Sequence, residues 1–252
     1  MTFNPEVTWM LCKRQLKHYW RSKSRMIGML GQPLLFLVAL GFGFGPIFQE
    51  AGRGDYMTFL APGVIGMSVL FTGMFAGINV IWDRKFGFLK ESLVAPVSRT
   101  NLLLGRTLGG ALVATLQGIL VFILTLFVGF RPDTWLSLIP AIGYMLLTAL
   151  LFTALGTAIA SHLEDLQSFP LIMNFIIMPL FFLSGALFPV ENLPKGFMTI
   201  VKLDPMSYAV DGIRRTLTGA GAFSHGTDLA VLITLTTLIL LIGGHLFRKI
   251  EF

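Results

Sequence analysis

Long uninterrupted stretches of apolar residues dominate this chain. At a rise of 1.5 Å per residue, a helix needs roughly 20 apolar residues to cross a hydrocarbon core about 30 Å thick. Six stretches reach that length, some with tilt. The pattern therefore predicts an all-α polytopic membrane protein that forms one transmembrane domain. The six predicted spans are residues 26–48, 57–82, 102–130, 134–161, 166–190 and 229–247.

The segment before the first apolar stretch, residues 2–25, alternates cations with apolar side chains. On a helix, this alternation predicts a basic amphipathic segment that lies in the plane of the membrane interface. Trp9, Tyr19 and Trp20 would suit the headgroup level. The alternative is an ordinary cytoplasmic helix with solvated charges. The cations are Lys13, Arg14, Lys17, Arg21, Lys23 and Arg25.

Residues 191–228, between the fifth and sixth stretches, contain no run long enough to span. Pro194, Pro205, Gly196 and Gly212 interrupt them, and the longest apolar patch covers residues 197–201. Either a plain loop or two short helices that form a re-entrant hairpin would fit. Irregular backbone at membrane depth requires burial in protein or contact with a water-filled cavity.

Cations concentrate on one side of the predicted topology. If the amino terminus is cytoplasmic, roughly two-thirds of the 19 lysines and arginines fall in cytoplasmic segments. The exceptions cluster in residues 191–228, which hold Lys195, Lys202, Arg214 and Arg215. The bias predicts that both chain ends are cytoplasmic.

Composition supports a membrane protein and excludes several other classes. Hydrophobic residues make up 54% of the chain and charged residues 13%, whereas soluble domains carry about 25% charged residues. The net charge of +6 belongs to the span ends, and no separate basic face favours nucleic acid. One cysteine cannot form an internal disulfide, and the four histidines are too scattered to suggest a metal site.

The chain lacks its own means of driving transport. The interiors of the six predicted spans hold no aspartate, glutamate, lysine or arginine, which argues against an ion-coupled pump. No G-x-x-x-x-G-K-[ST] phosphate loop occurs either. Uphill transport would therefore need energy from another subunit.

Glycine pairs four residues apart recur along the apolar stretches. Such pairs let helices approach closely. With 27 glycines in the chain, we interpret the pairs as packing features rather than as a specific motif. The pairs are Gly41/Gly45, Gly73/Gly77 and Gly105/Gly109.

Residues 184–214 carry a distinctive order of small, proline and charged residues. The segment reads Ser-Gly, Phe-Pro, Leu-Pro, then a proline followed by tyrosine, Asp-Gly and arginine. In order and spacing, this pattern resembles the membrane subunits of type-two ABC exporters, which include drug, polysaccharide and lipo-oligosaccharide export permeases. The matching residues are Ser184, Gly185, Phe188, Pro189, Leu193, Pro194, Pro205, Tyr208, Asp211, Gly212 and Arg214.

Residues 83–106 resemble the loop between the second and third spans of the same family. For residues 83–106, the resemblance implies a short coupling helix that binds in a groove of an ATPase subunit. Apolar side chains would enter the groove while charged ones form its rim; alternatively, Arg84, Lys85 and Arg99 only anchor the topology. The residues assigned to coupling are Phe86, Gly87, Phe88, Leu89, Lys90, Glu91 and Leu93.

The resemblance implies an export permease for an amphipathic substrate such as a drug, a lipid or a lipid-linked glycan. Two copies would pair around a central path, and two ATPase subunits would bind ATP and magnesium, with no cofactor in this chain. The implied location is the plasma membrane of a prokaryote. Residues 184–214 would form an external gate.

Two rival functions remain open. A membrane-embedded enzyme acting on lipid-soluble substrates would need convergent catalytic groups, and His162, Glu164 and Asp165 form the one cluster worth testing. A passive channel lacks support, because no ring-forming charged or carbonyl-rich filter sequence is evident.

Overall fold

The computed structural model describes residues 5–52, 54–85, 99–163, 165–190 and 194–248, which form α-helices and connecting turns without a β-strand. A short 3₁₀ turn, Trp135–Ser137, precedes the sixth helix. The helices are α1 Pro5–Arg21, α2 Lys23–Glu50, α3 Tyr56–Ala76, α4 Ile78–Lys85, α5 Arg99–Val128, α6 Leu138–His162, α7 Ser168–Leu183, α8 Lys195–Leu203, α9 Pro205–Thr218 and α10 His225–Arg248.

Five stretches in the described part of the chain are helical, apolar and long enough to cross a membrane. They agree with predicted spans one, two, three, four and six to within a few residues. Because the bilayer would demand this length and polarity, the chain is a multi-pass membrane protein. The stretches are Met26–Glu50, Tyr56–Trp82, Asn101–Val128, Trp135–His162 and His225–Gly244.

The helix α7 is shorter than the predicted fifth span, residues 166–190. It has about 16 residues and rises about 24 Å, less than a typical core of about 30 Å. Pro170 and Pro179 lie within it, and a π-helical turn, Met173–Ile177, separates its two α-helical parts. Prolines lack the N–H that an α-helix needs. The count of six spans therefore stays a prediction.

The centre of the bundle is α3, which is buried on nearly all sides between α2, α5, α6 and α9. Glycines permit its close approach to α6. A Cβ atom built at Gly77 would overlap the backbone of Gly156, and one at Gly73 would meet Thr153 at 3.1 Å. The prediction that Gly73 and Gly77 serve packing is confirmed.

The amphipathic helix α1 runs beside the first half of α5, in the same direction. Leu11 adjoins Gly105, Gln15 adjoins Gly109, and the Tyr19 hydroxyl donates to the Gln117 side chain. Tyr19 is therefore buried against α5, and burial raises its pKa to about 12. In contrast, Trp20 is 70% exposed. The in-plane orientation of α1 stays a prediction.

The two ends of the bundle differ. At the termini end, α1 lies against the start of α5, and the last turns of α10 lie beside Leu103 and Ala158. At the opposite end, which we call the loop end, the turns after α2, α5, α7 and α9 gather. There, Asp133 N–H donates to Leu217 O at 3.0 Å.

The predicted loop 83–106 is shorter than expected. Residues 83–85 complete α4, and α5 begins at Arg99, so Arg106 is helical and buried within a spanning stretch. The apolar pattern of α5 simply extends further toward its amino terminus. All seven predicted coupling residues, 86–91 and 93, lie outside the described residues.

Candidate functional site

The Ser184–Gly185 pair ends α7. Gly185 adopts a φ of 75°, the left-handed conformation that favours glycine after a helix. The Ser184 hydroxyl donates to Phe181 O at 2.7 Å and accepts from Ala186 N–H at 3.3 Å. These two residues of the predicted signature thus form a helix-terminating turn.

Arg214 of α9 fastens that turn from a distant part of the chain. Its Nη2 donates to the carbonyl oxygen of Gly185 at 2.8 Å, and its guanidinium lies 4.0 Å from the centre of the Phe59 ring. Arg214 is 8% exposed. A cation is favoured here because the carboxyl end of a helix carries partial negative charge.

The chain after Gly185 packs on the start of α3. The Tyr56 hydroxyl donates to Leu187 O at 2.8 Å, and a Cβ atom at Gly63 would overlap the backbone of Ala186. Pro189 follows and is partly buried. Leu193 of the signature lies in residues 191–193, outside the described part of the chain.

Pro194 and Pro205 each begin a helix. Pro194 occupies the N-cap position of α8 without a side-chain cap, and Pro205 lies in the first turn of α9, where a missing N–H does no harm. Asp204 caps α9 by accepting from Met206 N–H at 2.8 Å. Burial outweighs this bond and raises the pKa of Asp204 to about 7. The segment thus contains two short helices, and their depth in the membrane stays a prediction.

Asp211 organises the turn between α9 and α10. Its carboxylate accepts from Ala222 N–H at 2.5 Å and from Phe223 N–H at 3.1 Å, and it forms an ion pair with Arg215 Nε at 3.7 Å. Arg215 lies one turn from Asp211 along α9, whereas Arg214 reaches Gly185.

Tyr208 also contacts the turn between α9 and α10. Its hydroxyl donates to Lys202 O at 2.7 Å, and its ring stacks on Phe223 with 4.8 Å between centroids. Burial raises the pKa of Tyr208, and the nearby carboxylates of Asp228 and Asp204 raise it further. The phenol is therefore a stable hydrogen-bond donor.

Sequence reasoning missed Asp228 and the Tyr144–His225 pair. Asp228 is fully buried near Asp211, and neither of its carboxylate oxygens has a hydrogen-bond partner among the described residues. The Tyr144 hydroxyl oxygen lies 3.1 Å from His225 Nδ1. The available signal was an acidic residue in the first turn of the last helix, a position that the helix dipole favours.

The helix α8 leaves an apolar face uncovered. Phe197, Ile200 and Leu203 are 51%, 46% and 78% exposed, respectively. They are spaced by three residues, so they share one face of the helix. This face is suited to a lipid or protein surface.

Two polar side chains are exposed within the apolar stretches of their helices. Gln32 lies on α2 and Asn174 on α7. The two helices are neighbours, since the rings of Phe36 and Phe181 meet with centroids 6.1 Å apart. An exposed amide is poorly suited to lipid, so each of these two positions differs from an ordinary lipid-facing one.

The predicted enzyme cluster shows only local turn contacts. His162 Nδ1 lies 3.0 Å from Ser161 Oγ, and Asp165 accepts from Gln167 N–H at 3.1 Å. Glu164 lies outside the described residues. Within the described ranges, no group of three or more metal-ligating side chains occurs. In its described residues, the signature segment joins α7 to α9 through Arg214 and α9 to the turn before α10 through Asp211.

Comparison with known proteins gives consistent matches along the chain. A family model described as ABC-2 type transporter matches residues 6–218. The chain is 26% identical over 247 residues to Nodulation protein J of Rhizobium leguminosarum bv. viciae, covering 96% of this chain and 95% of that protein. It is 32% identical over 211 residues to the ycf38 transport permease of Porphyra purpurea, covering 81% and 71%, respectively.

Proposed function

The chain belongs to the ABC-2 type transporter family, and we propose that it is the membrane-spanning permease subunit of an ATP-driven exporter. The single observation that carries this proposal is the family match over residues 6–218, which includes both the loop 83–106 and the signature segment. Named relatives include a transport permease, which favours transport over enzymatic turnover.

Energy comes from separate ABC ATPase subunits, which bind ATP and magnesium. They dock at the termini end, where α4 and α5 flank the coupling residues Phe86 to Glu91 and Leu93. The apolar members of this set enter a groove of the ATPase, while Lys90 and Glu91 contact its rim. The cation bias supports a cytoplasmic termini end.

A second copy of the chain completes the path. Gln32 and Asn174 support this arrangement, because their exposed amides need a partner or water rather than lipid. They lie on the neighbouring helices α2 and α7, which therefore face the other protomer. The resulting complex has two permeases and two ATPases.

The topology has six crossings, with α7 as the fifth. A short crossing is accommodated by local thinning of the bilayer or by association with other helices. The helices α8 and α9 form a re-entrant hairpin on the external side, with the apolar face of α8 toward lipid. The exposure of Phe197, Ile200 and Leu203 supports this placement.

The substrate is amphipathic: a drug, a lipid or a lipid-linked glycan, exported across the plasma membrane of a prokaryote. ATP-driven closure of the ATPases moves the coupling loops and switches the path between inward and outward access. The signature segment then acts as the external gate, since Arg214 links the end of α7 to α9.

A charge reversal in the loop tests the role of the ATPase. Glu91→Lys is expected to weaken association with an ABC ATPase subunit of the same organism, while membrane insertion stays unchanged. Lys195→Glu is the matched control, because it reverses one exposed charge at the loop end. Equal association of wild type, Glu91→Lys and Lys195→Glu would contradict the assigned loop role.

A further inference from the structure

A fully buried carboxyl group lies at the loop end, in the first turn of α10. Asp228 is 0% exposed, and neither of its carboxylate oxygens accepts a hydrogen bond from a described residue. The start of α10 does not need Asp228 as a cap, because the Ser224 hydroxyl already accepts from Thr227 N–H at 3.2 Å. A buried carboxylate without donors is unfavourable, so the charge state of Asp228 requires an explanation.

The carboxyl group of Asp211 on α9 lies within hydrogen-bonding range of Asp228. Asp211 accepts from Ala222 N–H at 2.5 Å and from Phe223 N–H at 3.1 Å, and it pairs with Arg215 Nε at 3.7 Å. Backbone donors and a guanidinium both favour the charged form of a carboxylate. Of the two carboxyl groups, Asp211 is therefore the ionised one.

The phenols beside Asp228 form their hydrogen bonds elsewhere. Tyr144 of α6 and Tyr208 of α9 are both close enough to Asp228 to interact with its charge. The Tyr144 hydroxyl donates to His225 O at 3.3 Å, and the Tyr208 hydroxyl donates to Lys202 O at 2.7 Å. Both donors are engaged, so neither satisfies the buried carboxyl group.

One guanidinium faces two carboxyl groups in this part of the loop end. Among the described residues, Arg215 is the cation that interacts with both Asp211 and Asp228. The other titratable groups nearby are the two tyrosines, His225 one turn before Asp228, and Asp133 beside the end of α9. Two buried carboxylates that share one cation repel each other strongly. A single negative charge is therefore favoured.

We propose that Asp211 and Asp228 share one proton, which Asp228 holds and donates to the Asp211 carboxylate. This proton gives Asp228 a hydrogen-bond partner and leaves one negative charge opposite Arg215. When hydroxide removes the proton, the two carboxylates repel each other and Asp211 moves away from the backbone N–H groups of residues 222 and 223. The turn between α9 and α10 then opens. The carboxyl pair is thus a pH-sensitive switch, and it operates whether or not the chain works with an ATPase.

Infrared difference spectroscopy of the full-length protein in lipid vesicles detects this proton directly, because a protonated carboxylic acid has a C=O stretch that a carboxylate lacks. We expect the spectrum of wild type minus Asp228→Asn to show that band at about pH 6 and to lose it at about pH 9. Asparagine has nearly the same shape and keeps a donor for Asp211, so the fold is retained. Asp204 is present in both proteins, and its carboxyl group cancels in the difference.

A second variant tests whether the two carboxyl groups share the proton. Asp211→Asn removes the repelling charge and leaves Asp228 beside Arg215. The acid band of Asp228 should then disappear at a pH lower by about one unit or more. Asp133→Asn, which changes an exposed carboxyl group at the same end, should leave the band unchanged. Disappearance of the band at the same pH in wild type and Asp211→Asn would contradict the sharing.

Hydrogen exchange of the Ala222 and Phe223 amides tests the opening of the turn. Wild type and Asp228→Asn are compared at the same pH, so the intrinsic pH dependence of exchange cancels. We expect equal rates at about pH 6 and exchange about tenfold faster in wild type at about pH 9, the factor that one pH unit of interaction gives. A difference spectrum without an acid band at about pH 6, or a ratio of exchange rates that does not change with pH, would overturn the proposal.

Discussion

Arg214 donates a hydrogen bond to the carbonyl oxygen of Gly185 at 2.8 Å, across 29 positions of sequence. The bond joins a buried side chain of α9 to the turn that ends α7. Because the Phe59 ring of α3 lies against the same guanidinium, one side chain couples three helices. The conformations of α7 and α9 are therefore linked.

Replacing this arginine should destabilise the loop end. Arg214→Gln removes a charged donor and a cation–π contact, at a cost of about 2–3 kcal/mol in unfolding free energy. Arg214→Lys should recover only part of the loss, since an ammonium lacks the planar fork. Thermal unfolding in detergent measures the effect. Lys202→Gln, at an exposed position, is the control, and an equal shift for both glutamine variants would refute the link between α7 and α9.

Glycine at position 156 should be required for packing. A Cβ atom there would lie 2.6 Å from Met74 O, so Gly156→Ala forces α3 and α6 apart and costs about 1–3 kcal/mol. On the same helix, Gly143 has no atom within 4 Å of a built Cβ. Gly143→Ala should be neutral or stabilise by up to about 1 kcal/mol. If the two variants unfold at the same temperature, the close approach is not essential.

Stability should depend on pH through Asp204. Its pKa is about 7 in the folded protein, against 3.8 for an unperturbed carboxyl. The folded state therefore holds the proton more tightly, and stability falls as pH rises from about 4 to about 7. Above pH 7, the contribution of Asp204 to stability no longer changes with pH. Across the whole window, the free energy of unfolding falls by an amount of the order of 4 kcal/mol.

The variant Asp204→Asn isolates this effect. Asparagine keeps the helix cap but cannot titrate, so the decline in unfolding temperature between pH 4 and 7 should be shallower than in wild type. Other carboxyls contribute equally to both proteins and cancel in the comparison. Parallel pH profiles would show that Asp204 does not titrate in this range.

The hydrogen bond between Tyr19 of α1 and Gln117 of α5 should contribute measurably to the free energy of unfolding. Tyr19→Phe removes the donor to Gln117, whose side chain is fully buried, and should cost about 1–2 kcal/mol. Adding Gln117→Leu should restore part of the loss, because no amide is left without a partner. Trp20→Phe alters an exposed neighbour and should be close to neutral. Purely additive effects of the two substitutions would argue against the bond.

Much of the fold follows from local patterns. The ends of five spanning helices follow from the lengths of apolar runs, because the bilayer imposes length and polarity directly. Three residues at helix ends have roles that can be predicted from residue type, because those roles depend on local backbone chemistry. They are Gly185, Asp204 and Pro205. The shortening of α7 was also signalled, in part, by Pro170 and Pro179.

Long-range contacts could not be predicted in the same way. Tyr19 is buried because α1 packs along α5, where its hydroxyl bonds to Gln117, 98 positions away. Likewise, Asp211 accepts hydrogen bonds from the backbone N–H groups of residues 222 and 223, which follow it by 11 and 12 positions. The amphipathic pattern of α1 indicated a membrane surface, whereas its contact with α5 depends on Gly105 and Gly109. Their four-residue spacing indicates close helix packing but does not identify the partner helix.

The most direct test of the transporter assignment is co-expression with the ABC ATPase subunits of the same organism, followed by affinity purification and an assay of ATP hydrolysis. We predict a stable complex whose hydrolysis rate changes when amphipathic substrates are added. A well-folded chain that associates with no ATPase, and leaves hydrolysis unaltered, would contradict the assignment.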